Sequence, residues 1–324
     1  MTYYFDQHYK CGDKKFHNIY QAFDEQISSG QFPEYMVDQE LVANIKNIRR
    51  PKNLSKQYIR DLMVKRLKDL RKKYNKLKLL YSGGTDSYTI LRLCMDNDIY
   101  IDETITTMVS INNNLRTNLE FFTGLKHAKK YEGTLIGKCT EIHNTIEDHK
   151  YVDDPLWFKD ELLCSGCNLP WRPSAMPIMA KQAMNEGDDT ILLLGFEKPK
   201  IVIEDGKLFW TVTDAGTGEM MGIKNAVPFF LDKDNPELTV ALTYATMEII
   251  DVKSKGNNGS VSYQGVDDHT KKKLLDAYGF YITSNNFLNM AILGKEPYNQ
   301  NRKNMRLFKE LEKVGMTDYQ DKHI

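Results

Sequence analysis

Cysteine is scarce in this chain. Five residues in 324, an odd number in so long a sequence, argue against a disulfide scaffold, and a reducing cytoplasm is the setting that follows. Net charge is missing too: 44 Lys and Arg balance 44 Asp and Glu. The molecule as a whole therefore has no bulk attraction for nucleic acid or membrane, and any such partner needs a local patch. No apolar run approaches the ~20 residues that span a bilayer. The opening stretch "MTYYFDQHYKCGDKKFHN" lacks the basic-then-apolar order of a signal peptide. Internal repeats and low-complexity tracts are also absent. What remains is 41% hydrophobic and 27% charged, enough for a sizeable core. At this length, two domains or one large domain with additions is the expectation.

Residues 1–45 are mixed and aromatic-rich and read as an irregular or helical cap. Residues 46–78 are dense in Lys and Arg, with apolar residues at Ile59, Leu62, Met63, Leu67 and Leu70. That spacing is helical, and Ser55 stands where an N-cap belongs. "LKLLY" (77–81) then reads as a short buried strand. Helical spacing follows in "SYTILRLCMDN" (87–97), a β-rich run in "ETITTMVSI" (103–111), and a helix in "RTNLEFFTGLKHAKKY" (116–131). "KCTEIHNTI" (138–146) is a strand or its approach, "SAMPIMAKQAMNEG" (174–187) a helix, and "DTILLLGF" (189–196) a buried strand. Strand–helix alternation from about 77 to 196 predicts βαβ units around a parallel sheet.

Beyond 197 the pattern changes. "KIVIEDGKLFWTVTD" (200–214) carries Asp-Gly between alternating apolar residues, a hairpin signal. Helices are predicted at 236–250, 267–280 and 301–315. "KSKGNNGSVSYQG" (253–265) reads as a loop, a boundary or a mobile lid.

Between the first strand and its helix stands Ser82-Gly83-Gly84-Thr85-Asp86-Ser87. Glycines permit backbone angles closed to other residues and let a ligand approach the main chain. The following helix offers N–H groups and its positive end to an anion, and Ser82, Thr85 and Ser87 add hydroxyl donors. The plainer reading is a turn with an N-cap at Asp86 or Ser87. No lysine follows the glycines, which excludes the GxxxxGK[ST] phosphate loop.

The six-residue string resembles the SGGxDS signature of the PP-loop, or N-type ATP pyrophosphatase, superfamily. The motif is short, and compatible topology extends the resemblance over about 77–197. The resemblance implies a Rossmann-like α/β fold of the HUP type: a parallel sheet with flanking helices. The residue pattern itself divides the chain into an N-terminal helical extension (1–76), the α/β domain (77–200) that the resemblance makes ATP-binding, and a C-terminal helical and hairpin region (201–324) expected to shape the substrate site. In the family, ATP is cut between its α and β phosphates and a substrate oxygen is adenylated, then displaced by a nitrogen or sulfur nucleophile. Ser82, Gly83, Gly84, Thr85 and Ser87 would hold pyrophosphate. Asp86 would hold Mg²⁺ or position the loop, because a carboxylate beside phosphates needs a cation between them. Adenine would lie against Met108, Val109 and Ser110, which read equally well as plain core strand.

Gly195, Glu197 and Lys198 end a buried strand, where ligands of open α/β sheets sit. Glu197 suits Mg²⁺ and Lys198 the charge of a leaving pyrophosphate; an exposed turn is the equal alternative. Cys164 and Cys167 form a C-x-x-C, half a zinc site, with Cys139, His143 and His149 upstream. Cys139 would be the third ligand of an Fe–S cluster, and a turn with two inert thiols is the simpler reading. The basic stretch 46–78 suits nucleic acid, but a solvated helix face accounts for it better in a neutral chain.

The leading expectation is an AMP-forming ligase, closest to the synthetase domain of asparagine synthetase. It would activate a carbonyl or carboxyl oxygen for attack by an amine or ammonia. Thr2 stands where the glutaminases of that family expose a cysteine, so nitrogen would come from ammonia, another subunit or an amine substrate. Two alternatives are a thiolation or nucleobase-modifying enzyme using Cys164 and Cys167, and a non-catalytic adenine-nucleotide binder. Expected partners are a small-molecule or nucleobase acceptor and no membrane, with a homodimer left open.

Overall fold

The structure, a computed structural model, describes residues 8–16, 19–36, 40, 43–44, 49–111, 119–146, 187–195, 198, 200–204, 207–211, 225–231, 233–249, 259–261 and 268–281. In chain order it opens with β1 (His8–Cys11), β2 (Lys14–Phe16), α1 (Ile19–Ser29), β3 (Glu34–Met36) and α2 (Lys56–Lys73). Then come β4 (Lys76–Leu80), α3 (Thr85–Asp96), β5 (Ile101–Ile111), α4 (Leu119–Ala128), β6 (Ile136–Ile146) and β7 (Thr190–Leu194). The remainder is β8 (Lys200–Glu204), β9 (Lys207–Thr211), β10 (Ala226–Pro228), α5 (Glu237–Ile249), β11 (Gly259–Val261) and α6 (Asp268–Ala277). No helix among the described residues is long and apolar enough to cross a membrane.

The N-terminal extension is helical in α1 and α2 but opens with three short strands. Between Cys11 and Lys14 the chain turns on Gly12, whose φ of +60° meets what a two-residue hairpin asks of its first turn position. Strand β3 then pairs on the free side of β1. Strands of three and four residues are too short to print a period on the sequence, which is why they were not foreseen.

Helix α2 follows its sequence signals closely. The Ser55 hydroxyl accepts the Tyr58 N–H at 3.2 Å, a cap of about 1 kcal/mol. Ile59, Leu62, Met63, Leu67 and Leu70 are all buried, each contributing roughly 1.5–3 kcal/mol relative to exposure. Its last turn, Arg71, Lys72 and Lys73, complements the negative helix end.

The central sheet has five strands in the order β10-β7-β4-β5-β6, all parallel. The chain starts at β4, steps outward to β5 and β6, then returns past β4 to β7 and β10. Strand order therefore reverses between β4 and β7. Register makes their ends level, with Leu80 opposite both Leu194 and Ile105. This is the expected Rossmann-like arrangement, and it does not stop at residue 200: β10 joins it from the region assigned to the C-terminal addition. Its three residues, "AVP", were too short to read as a strand. One apolar cluster joins α2, α3, the sheet, α5 and α6.

The 200–214 hairpin forms as β8 and β9, with Glu204 opposite Lys207. Part of the expected 253–265 loop is strand β11, which pairs antiparallel with β8; the edge of a two-stranded ribbon needs a partner more than "GSV" needs to be loop. The helices read at 174–187 and 301–315 lie outside the described residues, Gly187 excepted.

Many cations of the basic stretch are engaged within the chain. Arg50 pairs with Glu248, Lys56 with Asp276, Arg71 with Asp102, Lys73 with Asp234 and Lys78 with Glu103. These pairs tie α2, β4 and the segment before α2 to β5, to α5 and α6 and to the residues just before α5. Arg66 is different: it is 2% exposed, donates to the Phe229 carbonyl at 2.6 Å, and lies 5.6 Å from the Phe229 ring centre. Arg66→Ala removes that donor and its packing, so we expect it to destabilise by at least roughly 1–3 kcal/mol. Urea denaturation checks this; an unchanged midpoint would contradict the bracing role.

Candidate functional site

Ligands of doubly wound sheets bind outside the carboxyl strand ends, where strand order reverses. Here that position is flanked by the loop leaving β4 and by the residues leaving β7. The exit from β4 is fixed by hydrogen bonds: the Tyr81 N–H donates to the Ile105 carbonyl at 2.9 Å, and the Thr106 hydroxyl donates to the Tyr81 carbonyl at 2.8 Å.

The next turn needs glycine. Gly83 has φ +81°, and Gly84 caps α3 from an extended conformation. With no side chain at the cap, no side-chain oxygen there competes for the helix N-terminus. Two serines hold the loop closed from inside. The Gly84 N–H donates to Ser82 Oγ (3.2 Å), the Ser82 N–H donates to Ser87 Oγ (3.3 Å), and Ser87 Oγ donates to the Gly84 carbonyl (3.3 Å). The two hydroxyls also lie 3.2 Å apart. Ser82 and Ser87, read as direct phosphate donors, thus also give the loop its shape.

Two glycines from other elements press on this loop. A Cβ at Gly124, on α4, would lie 2.8 Å from Gly83 Cα, and one at Gly195 would lie 2.8 Å from the Ser87 nitrogen. Gly195 was foreseen as part of the site, but Gly124 was not, since a helical glycine carries no mark of what it touches.

The charged centre joins both strand ends. Lys198 Nζ donates to Asp86 Oδ2 at 2.5 Å, so the structure brings together the two residues read as catalytic. The other carboxylate oxygen, Asp86 Oδ1, is buried with no hydrogen-bond partner. The Lys198 side chain is 9% exposed, and its ammonium lies 5.5 Å from the ring centres of Phe230 and Phe280, within cation–π range. Those rings stack on each other at 4.7 Å. Sequence reasoning missed both, because their partner lies 32 and 82 residues away in the chain (230 minus 198, and 280 minus 198).

Phe280 is held in place by its neighbours. The Tyr281 N–H donates to Thr89 Oγ1 at 3.0 Å, and its hydroxyl donates to Asp96 at 2.6 Å. Arg60 and Arg92 both lie over the Tyr281 ring, at 4.4 and 5.5 Å, and Arg60 also donates to the Gly279 carbonyl at 2.6 Å. Residues 278–281 are therefore fastened to the same helix that carries the loop.

Behind the loop sits an aromatic cluster. The Tyr81 hydroxyl and His127 Nδ1 share a 3.1 Å hydrogen bond, and the His127 ring packs against Tyr88 and Tyr131. Burial pushes the Tyr81 hydroxyl's pKa well up. Burial first, then Lys130 and Arg92, hold His127 below its usual value. Above about pH 6.5 the imidazole is neutral whether folded or not, so it adds no pH dependence there. Below that pH the unfolded chain takes a proton that the folded one resists, and stability falls. We expect the melting-temperature advantage of wild type over His127→Gln to shrink as pH drops from about 6.5. An advantage constant down to pH 5 would rule this out.

Met108, Val109 and Ser110 lie in β5 beyond the level where β4 ends, paired with His143, Asn144 and Thr145 of β6. Their backbone thus runs on past the loop at the carboxyl edge. Cys139 sits on β6, where the Thr104 hydroxyl donates to its sulfur at 3.3 Å. Burial pushes its thiol pKa up, opposite to what a ligating thiolate needs. Among the described residues no three His, Cys, Asp or Glu side chains gather as a metal site. Glu197, Cys164, Cys167 and His149 lie outside the described residues. No protein-family model matches the chain, and no curated protein matches its sequence.

Proposed function

We propose that the chain is an ATP pyrophosphatase-type ligase, forming AMP and pyrophosphate as it joins an amine or ammonia to an activated carbonyl or carboxyl group. The observation that carries this reading is the place of the SGGTDS loop. It opens a helix at the strand-order reversal, with Asp86 and Lys198 meeting over it. An acceptor oxygen attacks the α-phosphorus, the bond from that phosphorus to the bridging oxygen breaks, and pyrophosphate leaves. Nitrogen then attacks the activated carbon, AMP departs, and the nitrogen loses a proton.

The loop backbone and the N-terminal end of α3 bind the β and γ phosphates. Lys198 offsets charge on the departing pyrophosphate. Asp86 fits a divalent cation, since its Oδ1 is buried without a hydrogen-bond partner and a hard carboxylate oxygen suits Mg²⁺. When bound, Mg²⁺ supplies charge neutralisation to the phosphates. Met108, Val109 and Ser110 are the candidates to face the base.

The test uses α-labelled ATP, Mg²⁺, ammonia and a panel of carboxylate and carbonyl acceptors. AMP and pyrophosphate should appear in equal amounts, and only with an acceptor. Release of ADP and phosphate would overturn the reading, as would ATP binding without AMP under every acceptor tried.

A further inference from the structure

The ion pair of Asp86 with Lys198 already places one anion and one cation in the cradle. On the reading above, which this inference rests on, the same cradle must admit a polyphosphate and a divalent cation. With Lys198 Nζ 2.5 Å from Asp86 Oδ2, the carboxylate's charge is spoken for. A divalent cation arriving alone meets the ammonium at close range in a partly desolvated site, where like charges repel strongly.

A polyphosphate changes that balance. Its oxygens draw the ammonium toward themselves, and Asp86 then presents two oxygens, one of which has no hydrogen-bond partner now. Lys198 need not pass into water to make this shift, because the faces of Phe230 and Phe280, both 5.5 Å away, stay beside the ammonium.

We propose that Lys198, held between Asp86 and the Phe230 and Phe280 rings, is a gating residue that lets the site take a divalent cation only together with a polyphosphate. Asp86 is the cation's ligand, and the two rings retain the lysine in both positions. Cation and nucleotide are thereby coupled without any large movement of the fold.

The test is a Mn²⁺ titration of the full chain, read by electron paramagnetic resonance, with and without α,β-methylene ATP, which cannot be cut at the α–β bond. Wild type should bind Mn²⁺ weakly alone and tightly with the analogue. Lys198→Met should bind Mn²⁺ alone more tightly than wild type, by roughly 5–150-fold, the usual span of coupling between two sites. Adding Asp86→Asn to it should restore weak binding. Lys198→Gln serves if the Met variant fails to fold, and a thermal melt checks each protein. Equal Mn²⁺ affinity in wild type and either Lys198 variant overturns the proposal, as does the absence of a Mn²⁺ site in all of them. The gain in Mn²⁺ affinity without any AMP formation would defeat the catalytic reading and keep the gate; AMP formation without that gain would do the reverse.

Discussion

Asp86→Asn is expected to abolish AMP formation while the chain keeps its fold. The residue lies in the first turn of α3, where a negative charge is favoured by the helix dipole, and its carboxylate faces Lys198 from the loop's own helix. Asparagine has nearly the same shape, and its amide oxygen can still accept from the Lys198 ammonium. The buried neighbours Thr85, Ser87 and Thr89 are untouched, and melting should fall by only a few degrees. What disappears is the full charge that would hold a cation beside the phosphates. Loss of one preorganised electrostatic contact lowers turnover by about 10²–10³-fold, and we expect at least that. Asp86→Ala is the harsher companion: it takes one partner from an ammonium whose side chain is 9% exposed, so melting should fall further than in the Asn variant. Chromatographic measurement of AMP, with a melt on each variant, separates chemistry from folding. Wild-type turnover in the Asn variant would remove Asp86 from the mechanism.

The reach of sequence reasoning is uneven here for physical reasons. Helix α2 was legible because its period, its cap and its buried residues act locally, within one or two turns. Strand β7 was legible because a strand buried along its whole length shows as a continuous apolar run; β4 and β5 were legible because apolar and β-branched residues recur along them. The glycine loop was legible because its residue types are needed where they stand. Strands β1, β2, β3 and β10 were not, since three or four residues cannot display a period. The aromatic side of the site was also hidden. Phe230 and Phe280 matter through Lys198, which they meet only once β7, β10 and α6 are assembled. The same holds for Tyr81 and His127, whose hydrogen bond joins positions 46 residues apart. A phenylalanine beside an ammonium and a phenylalanine in a core look identical in one dimension.

Gly195→Ala should damage ATP binding although alanine is the smallest change available. A Cβ there would sit 2.8 Å from the Ser87 nitrogen and 2.9 Å from its Cα. Both are backbone atoms at the start of α3, so no side chain can swing aside to make room. Either the end of β7 or the first turn of α3 must shift. Ser87 is also the residue whose hydroxyl accepts the Ser82 N–H and donates to the Gly84 carbonyl, so a shift of α3 passes directly into the loop. Overpacking of this kind destabilises by roughly 1–3 kcal/mol. If about 1.4 kcal/mol of that falls on the bound state, ATP affinity drops tenfold. Gly124→Ala should do the same from the opposite side, because its Cβ would meet Gly83 Cα at 2.8 Å. Gly187→Ala, at the other end of β7, is the control: its nearest neighbour is a flexible carboxylate oxygen of Asp189 at 3.1 Å. That variant should stay within about 0.5 kcal/mol of wild type and bind ATP normally. Calorimetric titration with the uncleavable analogue gives the comparison. Should Gly195→Ala and Gly124→Ala bind as tightly as the control, the loop would owe its shape to its own serines alone, and the close approach of β7 and α4 would be packing without consequence for the site.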